Sequence, residues 1–209
     1  MRAITLLASI ALVGCRADGS DLTPGSPYAI EVHQFTPGTG AGFGQEHMPD
    51  IVLGAPRGFG ASMGSTDVLS LGLGGRIVLA LGAPVTDGEG DDLIVFENAF
   101  YIGGVMAAPF IEPGIVGVSS DGVNFTEWPC DPSTSPHTGC AGVTPVIANG
   151  SVDLSDTQAA GGDRFDLADL GIAEANYVRI RDANVVTGMR ANPPTAGFDL
   201  DAIVALHHR

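Results

Sequence analysis

Basic side chains are scarce in this sequence. Nine arginines and no lysine stand against 24 acids, a formal charge of -15 over 209 residues. Nucleic acid and anionic membrane surfaces repel such a chain, so neither is expected to attract it. Charge is sparse overall too: 16% of residues are charged and 44% hydrophobic, the reverse of a chain that stays disordered. No apolar run reaches the about 20 residues that a membrane-spanning helix needs. Cys130, Cys140 and His137 are too few for a closed zinc site, and the five scattered histidines (33, 47, 137, 207, 208) suggest no catalytic set. G-x-G-x-x-G, P-loop and C-x-x-C patterns are all missing. What the chain has in excess is turn formers, 30 glycines and 14 prolines, and these exclude long helices. The length fits one domain, large enough to bury about 70% of its unfolded surface. Together these features predict a loop-rich, acidic β domain.

Met1-Arg2 gives a positive start, and Ala3 to Val13 is an apolar run with the length of a signal-peptide core. It ends Leu12-Val13-Gly14-Cys15, which resembles the bacterial lipobox, where cleavage precedes an acylated cysteine. The plainer alternative is an ordinary signal with a coincidental cysteine. The expectation is therefore a signal peptide over 1-14, a lipid anchor at Cys15, a tether over 15-27 and one domain over 28-209. Acyl chains anchor a protein to a membrane without spanning it. Arg16, where many retained lipoproteins have aspartate, favours the outer membrane or cell surface. Cys130 and Cys140 flank a turn-rich stretch, and in an oxidising envelope they read as a disulfide.

Alternation over Tyr28–Phe35 marks a half-buried strand. Further strands are expected at Asp67–Leu71, Arg76–Leu81, Leu93–Phe96, Tyr177–Arg181 and Phe198–Leu206. Leu93–Phe96 is apolar throughout, as in a strand buried on both faces. Gly114–Ser119 and Val123–Trp128 read as a hairpin, with Asp121-Gly122 supplying a type I′ turn. Phe165–Gly171 is the short-helix candidate, ending at a glycine cap. Many short strands with hardly any helix predict an all-β antiparallel sandwich with long loops and one short helix.

The densest acidic stretch is Asp87-Gly88-Glu89-Gly90-Asp91-Asp92, followed beyond the apolar strand by Glu97-Asn98. Acids at 87, 89 and 91 have calcium-loop spacing, and self-repelling carboxylates gain from a shared hard cation. The loop is not an EF-hand, because its sixth position is Asp92 in place of glycine. A solvated turn is the bland alternative. Asp199 and Asp201 should share one strand face and need either a cation or an arginine; Arg179 and Arg181 have the matching spacing. Gly60-Ala61-Ser62-Met63-Gly64 fits the nucleophile-elbow pattern but lacks the strand and helix that the elbow requires. No enzyme is expected on this basis. Trp128 is assigned to the core, while Tyr28, Phe100 and Tyr101 are candidates for stacking on sugar rings.

Several stretches in order, Val52–Pro56, Asp67–Gly72, Asp87–Phe100, Val118–Gly122, Ala141–Val146, Gly161–Leu167 and Gly197–Ala202, resemble a family of bacterial secreted "cell surface proteins". The resemblance spans about residues 28 to 207. It implies a jelly-roll sandwich similar to discoidin and galactose-binding modules, in which structural calcium organises the ligand loops. Asp87, Asp92, Glu97, Asn98, Asp199 and Asp201 fall on its recurrent acidic or amide positions, whereas Glu89 and Asp91 depart from the pattern and are weaker ligands. The expected function is a calcium-stabilised, lipid-anchored surface module binding carbohydrate or a surface polymer. A polysaccharide hydrolase using paired carboxylates and an accessory lipoprotein of an outer-membrane receptor are the alternatives.

Overall fold

Apolar residues at alternate positions draw the strands into two layers. The computed structural model describes residues 22–107, 109–135, 137–149, 153–185 and 193–209. The signal peptide, Cys15 and the tether up to residue 21 lie outside the described residues. The larger sheet has the order β1-β3-β10-β7-β8, formed by Ala29–Thr36, Arg76–Thr86, Glu174–Asp182, Gly114–Ser119 and Thr126–Glu127. The smaller has the order β2-β11-β4-β9, formed by Leu69–Ser70, Asp199–Ala205, Leu93–Glu97 and Asp163–Phe165. A two-residue pair, β5 (Phe100–Tyr101) with β6 (Pro109–Phe110), stands apart. All these pairings are antiparallel, so the fold is the expected all-β sandwich.

Between the layers lies the main core, to which Ile77, Leu79, Val178 and Ile180 contribute from the larger sheet and Leu93, Val95, Leu200 and Ile203 from the smaller. The smaller sheet is covered on its other side as well. Ile94, Phe96, Ala202 and Val204 pack there against Val146, Ala148 and Ala160. This two-sided burial is why β4 reads as an unbroken apolar run. Among the described residues the outer face of the larger sheet has no such cover, and β10 accordingly alternates buried Val178 and Ile180 with half-exposed Arg179 and Arg181.

Trp128 is buried, its ring centroid 5.0 Å from that of Phe165 and its indole N–H donating to Asp166 O at 2.9 Å. Cys130 and Cys140 form the expected disulfide. The packed domain begins by Leu22, which lies against the main core while Gly25 N–H donates to Gly82 O, so residues 22 to 27 are seated on the sandwich.

Two local expectations are corrected. The connection after Asp121 is not a type I′ turn, because Gly122 alone of that pair has positive φ. Asp121 Oδ1 instead accepts N–H groups of Val123 and Asn124, giving a longer side-chain-closed loop. The Phe165–Gly171 segment is a 3-10 turn, Leu167–Leu170, closed by Gly171 at φ 65°. The α-helix among the described residues is Thr157–Ala160, capped by Asp156, whose carboxylate accepts the N–H groups of Gln158 and Ala159.

Candidate metal centre and adjoining cavity

Strand β4 separates the acids that the sequence groups together. Asp92 precedes it and Glu97 ends it, so five steps of about 3.3 Å put roughly 17 Å between the two ends. Two carboxylate groups result, one at each end.

At the first end, oxygens of Asp87, Asp92 and Asp166 lie within 4.8 Å of one another. Asp92 is fully buried, and the chain itself satisfies it. Its Oδ1 accepts Gly88 N–H at 2.8 Å and lies 2.7 Å from His207 Nδ1, and its Oδ2 accepts Leu167 N–H at 2.8 Å. Asp92 thus ties together the acidic loop, the 3-10 turn and the last strand's exit. A β-carbon at Gly88 would collide with the His207 ring, so this approach needs glycine. Glu89 and Asp91 are exposed and join neither group; they border a cavity of about 280 Å³ together with Arg164 and His207.

At the second end, oxygens of Glu97, Glu112 and Asp199 converge within 4.8 Å, and all three residues are buried. Glu97 is the last residue of β4, Asp199 the first of β11, and Glu112 just precedes β7. Glu97 Oε1 accepts Asp199 N–H at 3.3 Å, whereas Glu97 Oε2 is buried with no hydrogen-bond partner among the described residues. Asp199 accepts the Ser70 hydroxyl and the Asn98 side chain. Asn98 Oδ1 in turn accepts Ser65 N–H at 2.5 Å. A β-carbon at Gly64 would sit 2.7 Å from Asn98 Oδ1, so glycine lets the 60–66 loop close over this amide.

Burial, then repulsion from Asp199 and Glu112, holds the Glu97 carboxyl well above the usual carboxylate range. Burial likewise pushes Asp199 up to about 7, against the hydrogen bonds from Ser70 and Asn98 and with a further push from Asp182. Three carboxylates crowded out of water cannot all ionise without a counter-charge. The donors are all oxygen, which suits a hard cation and not zinc or copper. Buried acidic residues here can hold a metal ion.

Asp201 stands in neither group. A β-bulge between Leu200 and Ala202 takes it out of the ladder, and both its oxygens accept Arg57 N–H, at 3.1 and 2.9 Å. Arg179 and Arg181 do not reach Asp199 or Asp201. They lie on the other sheet and bond Glu127. Glu112 carries no spacing signal, but an acid between Ile111 and Pro113 next to a buried strand raises the same question of a partner as Glu97.

In front of this centre, Phe43, Phe100 and Phe110 edge a cavity of about 280 Å³ whose polar wall includes Ser65, Asn98 and Asp199. The β5–β6 pairing sets Phe100 opposite Phe110, their rings stacked with centroids 5.1 Å apart. The Ser62 pattern sits in a turn of a loop with neither strand nor helix adjoining it, so no elbow forms. In comparisons with known proteins, no family model and no curated protein matches the chain.

Proposed function

We propose that the protein is a calcium-stabilised, lipid-anchored module of the cell surface that binds carbohydrate or a surface polymer in the Phe43/Phe100/Phe110 cavity. One observation carries this reading: Glu97 Oε2 is buried with no hydrogen-bond partner among the described residues, in a side chain whose carboxylate converges within 4.8 Å on two other buried carboxylates. Glu97, Glu112 and Asp199 would hold the ion, and Asn98 would brace Asp199 from outside it, donating to that carboxylate while its Oδ1 accepts Ser65 N–H. The ion would supply positive charge that fixes three chain segments: the end of β4, the approach to β7 and the start of β11. Asp199 and Asn98 belong to both centre and cavity, so fixing them shapes the ligand wall. Aromatic rings beside polar groups suit a sugar, which has an apolar face and a hydroxylated rim.

Selective binding to the folded state raises the melting temperature with ligand concentration. The purified protein should therefore melt higher as calcium is added, and Glu97→Gln should abolish the rise. An unchanged melting temperature in the parent protein across calcium concentrations would sink the metal assignment. A glycan-array screen of the calcium-loaded protein tests the ligand. Phe100→Ala should erase whatever signal appears.

The second reading, an accessory lipoprotein of an outer-membrane receptor, also draws on a specific feature. Phe59, Met63, Ile102, Val105 and Met106 are exposed on two loops joined by the Tyr101 N–H bond to Ala61 O. Contiguous exposed apolar side chains mark interaction surfaces. Silence on every glycan, together with capture of a receptor that Met106→Asp abolishes, would select this role.

A further inference from the structure

The larger sheet carries a second concavity on its outer face, about 530 Å³ in volume. Strand register builds it. On that face Arg76 of β3 stands directly opposite Arg181 of β10, and the neighbouring row sets Val78 opposite Arg179. Like charges directly opposite each other destabilise a sheet. One acid partly relieves them. Glu127 of β8 accepts Arg179 Nη2 at 2.9 Å, Arg181 Nε at 2.6 Å and Arg181 Nη2 at 2.8 Å. It reaches them across Gly117, where a β-carbon would lie 2.9 Å from Glu127 Cγ.

The neutralisation is incomplete. Three guanidinium groups against one carboxylate leave two net positive charges, in a protein whose formal charge is -15. Among the described residues Arg76 makes no ion pair, and Arg179 Nε is buried with no hydrogen-bond partner. Asp121, next in sequence to the lining residues Gly122 and Val123, is turned into its own loop, where it accepts Val123 and Asn124 N–H groups. At physiological salt the screening length is about 8 Å, so local charge outweighs the distant acids at this face.

The rest of the lining narrows the ligand. His33 and Gln34 come from β1, and Phe125 stands at the other wall with its ring 4.3 Å from the Arg179 guanidinium carbon. The floor is made by β3 and β10, inner strands whose backbone groups are taken up by sheet pairing on both sides. An added peptide strand therefore has no ladder to join on the floor of the groove. Recognition falls to side chains: planar guanidinium forks that match a carboxylate, and an amide and an imidazole that match hydroxyls. We propose that this groove is a second binding site, for a short carboxylate-bearing saccharide of the uronic-acid class, with Arg76 and Arg181 holding the carboxylate and Gln34 and His33 the ring hydroxyls. The groove lies on the outer face of the larger sheet and shares no lining residue with the proposed calcium centre of Glu97, Glu112 and Asp199.

Titrating the protein with a galacturonate trisaccharide, followed by 1H–15N NMR of the arginine Nε–H signals, tests this. Saturable shifts at Arg76, Arg179 and Arg181 are expected. The neutral galactose trisaccharide should bind at least fivefold more weakly. Arg76→Gln, at an exposed position without an ion pair, should keep the fold and weaken acidic-sugar binding fivefold or more. Glu127→Gln frees both partner arginines and should tighten it. Glu97→Gln should leave it unchanged, which separates this groove from the calcium centre. Equal binding of acidic and neutral sugars, no binding of either, or an undiminished Arg76→Gln variant would overturn the proposal. Preference for a hexaglutamate peptide would overturn it in favour of a protein ligand.

Discussion

Asp92 and Glu97 are both buried acids five residues apart, yet they answer to different physics. Asp92 has a hydrogen-bonding partner on each oxygen and acts as a clamp, while Glu97 has one oxygen without a partner among the described residues and two more buried carboxylates close by. Asp92→Ala should therefore destabilise the protein by about 2–4 kcal/mol, equally with and without calcium, because it strands buried donors. Glu97→Gln should leave the metal-free protein as stable or more so, and remove the calcium response; paired thermal melts check both. The pH response follows from the same carboxyls. Glu97 and Asp199 titrate higher folded than unfolded, with Asp199 near 7 and Glu112 and Asp182 as the acids that repel them. Their contribution is fully present below about pH 4, where both states are protonated, and is lost as pH rises, the Asp199 part through about 7. Metal-free stability should fall between pH 5 and 8 by on the order of 2–4 kcal/mol. Saturating calcium should flatten that fall, since binding displaces the protons. Of this centre Glu97, Asn98 and Asp199 were legible as acids or amides beside apolar strands. Asp201 was misplaced because a bulge is invisible to an alternation pattern, and Glu112 was missed because its partners are remote in sequence.

Strand β4 shows what an element's composition can and cannot reveal. Its unbroken apolar run signals burial on both faces, and both faces are covered, one by the opposite sheet and one by Val146, Ala148 and Ala160. The identity of that second cover was not legible, because Val146 and Ala148 make too short an alternation to mark a strand and Ala160 stands apart from them in sequence. Phe96 is fully buried against this cover, and a β-carbon at Gly162 would lie 2.7 Å from its ring. Phe96→Ala should cost about 3–5 kcal/mol and speed amide exchange of residues 146–148 more than that of β10. Equal acceleration in both places would mean that the cover and the main core open as one unit. The hairpin of β7 and β8 forms, but its turn departs from the two-residue type for a related reason. An Asp-Gly pair favours a two-residue turn, but Asp121 captures two backbone N–H groups of its own and lengthens the loop.

At the scale of the whole molecule, a formal charge of -15 favours expansion by self-repulsion, and salt or a bound cation opposes it by different routes. Screening acts on all exposed acids and grows gradually with ionic strength, whereas a buried centre saturates. Raising sodium chloride from 10 to 150 mM should lift the metal-free melting temperature by roughly 2–4 °C, the equivalent of about 1 kcal/mol at this size. One millimolar calcium chloride adds only about 3 mM ionic strength, so screening by it is negligible. If calcium then stands a hundredfold above its Kd, binding contributes about 2.7 kcal/mol, or roughly 5–10 °C. A calcium shift larger than the sodium chloride shift, saturable and absent in Glu97→Gln, assigns the effect to the Glu97, Glu112 and Asp199 centre. A calcium shift that Glu97→Gln retains would assign it to the surface acids, and the buried carboxylates would then keep their protons instead of a metal.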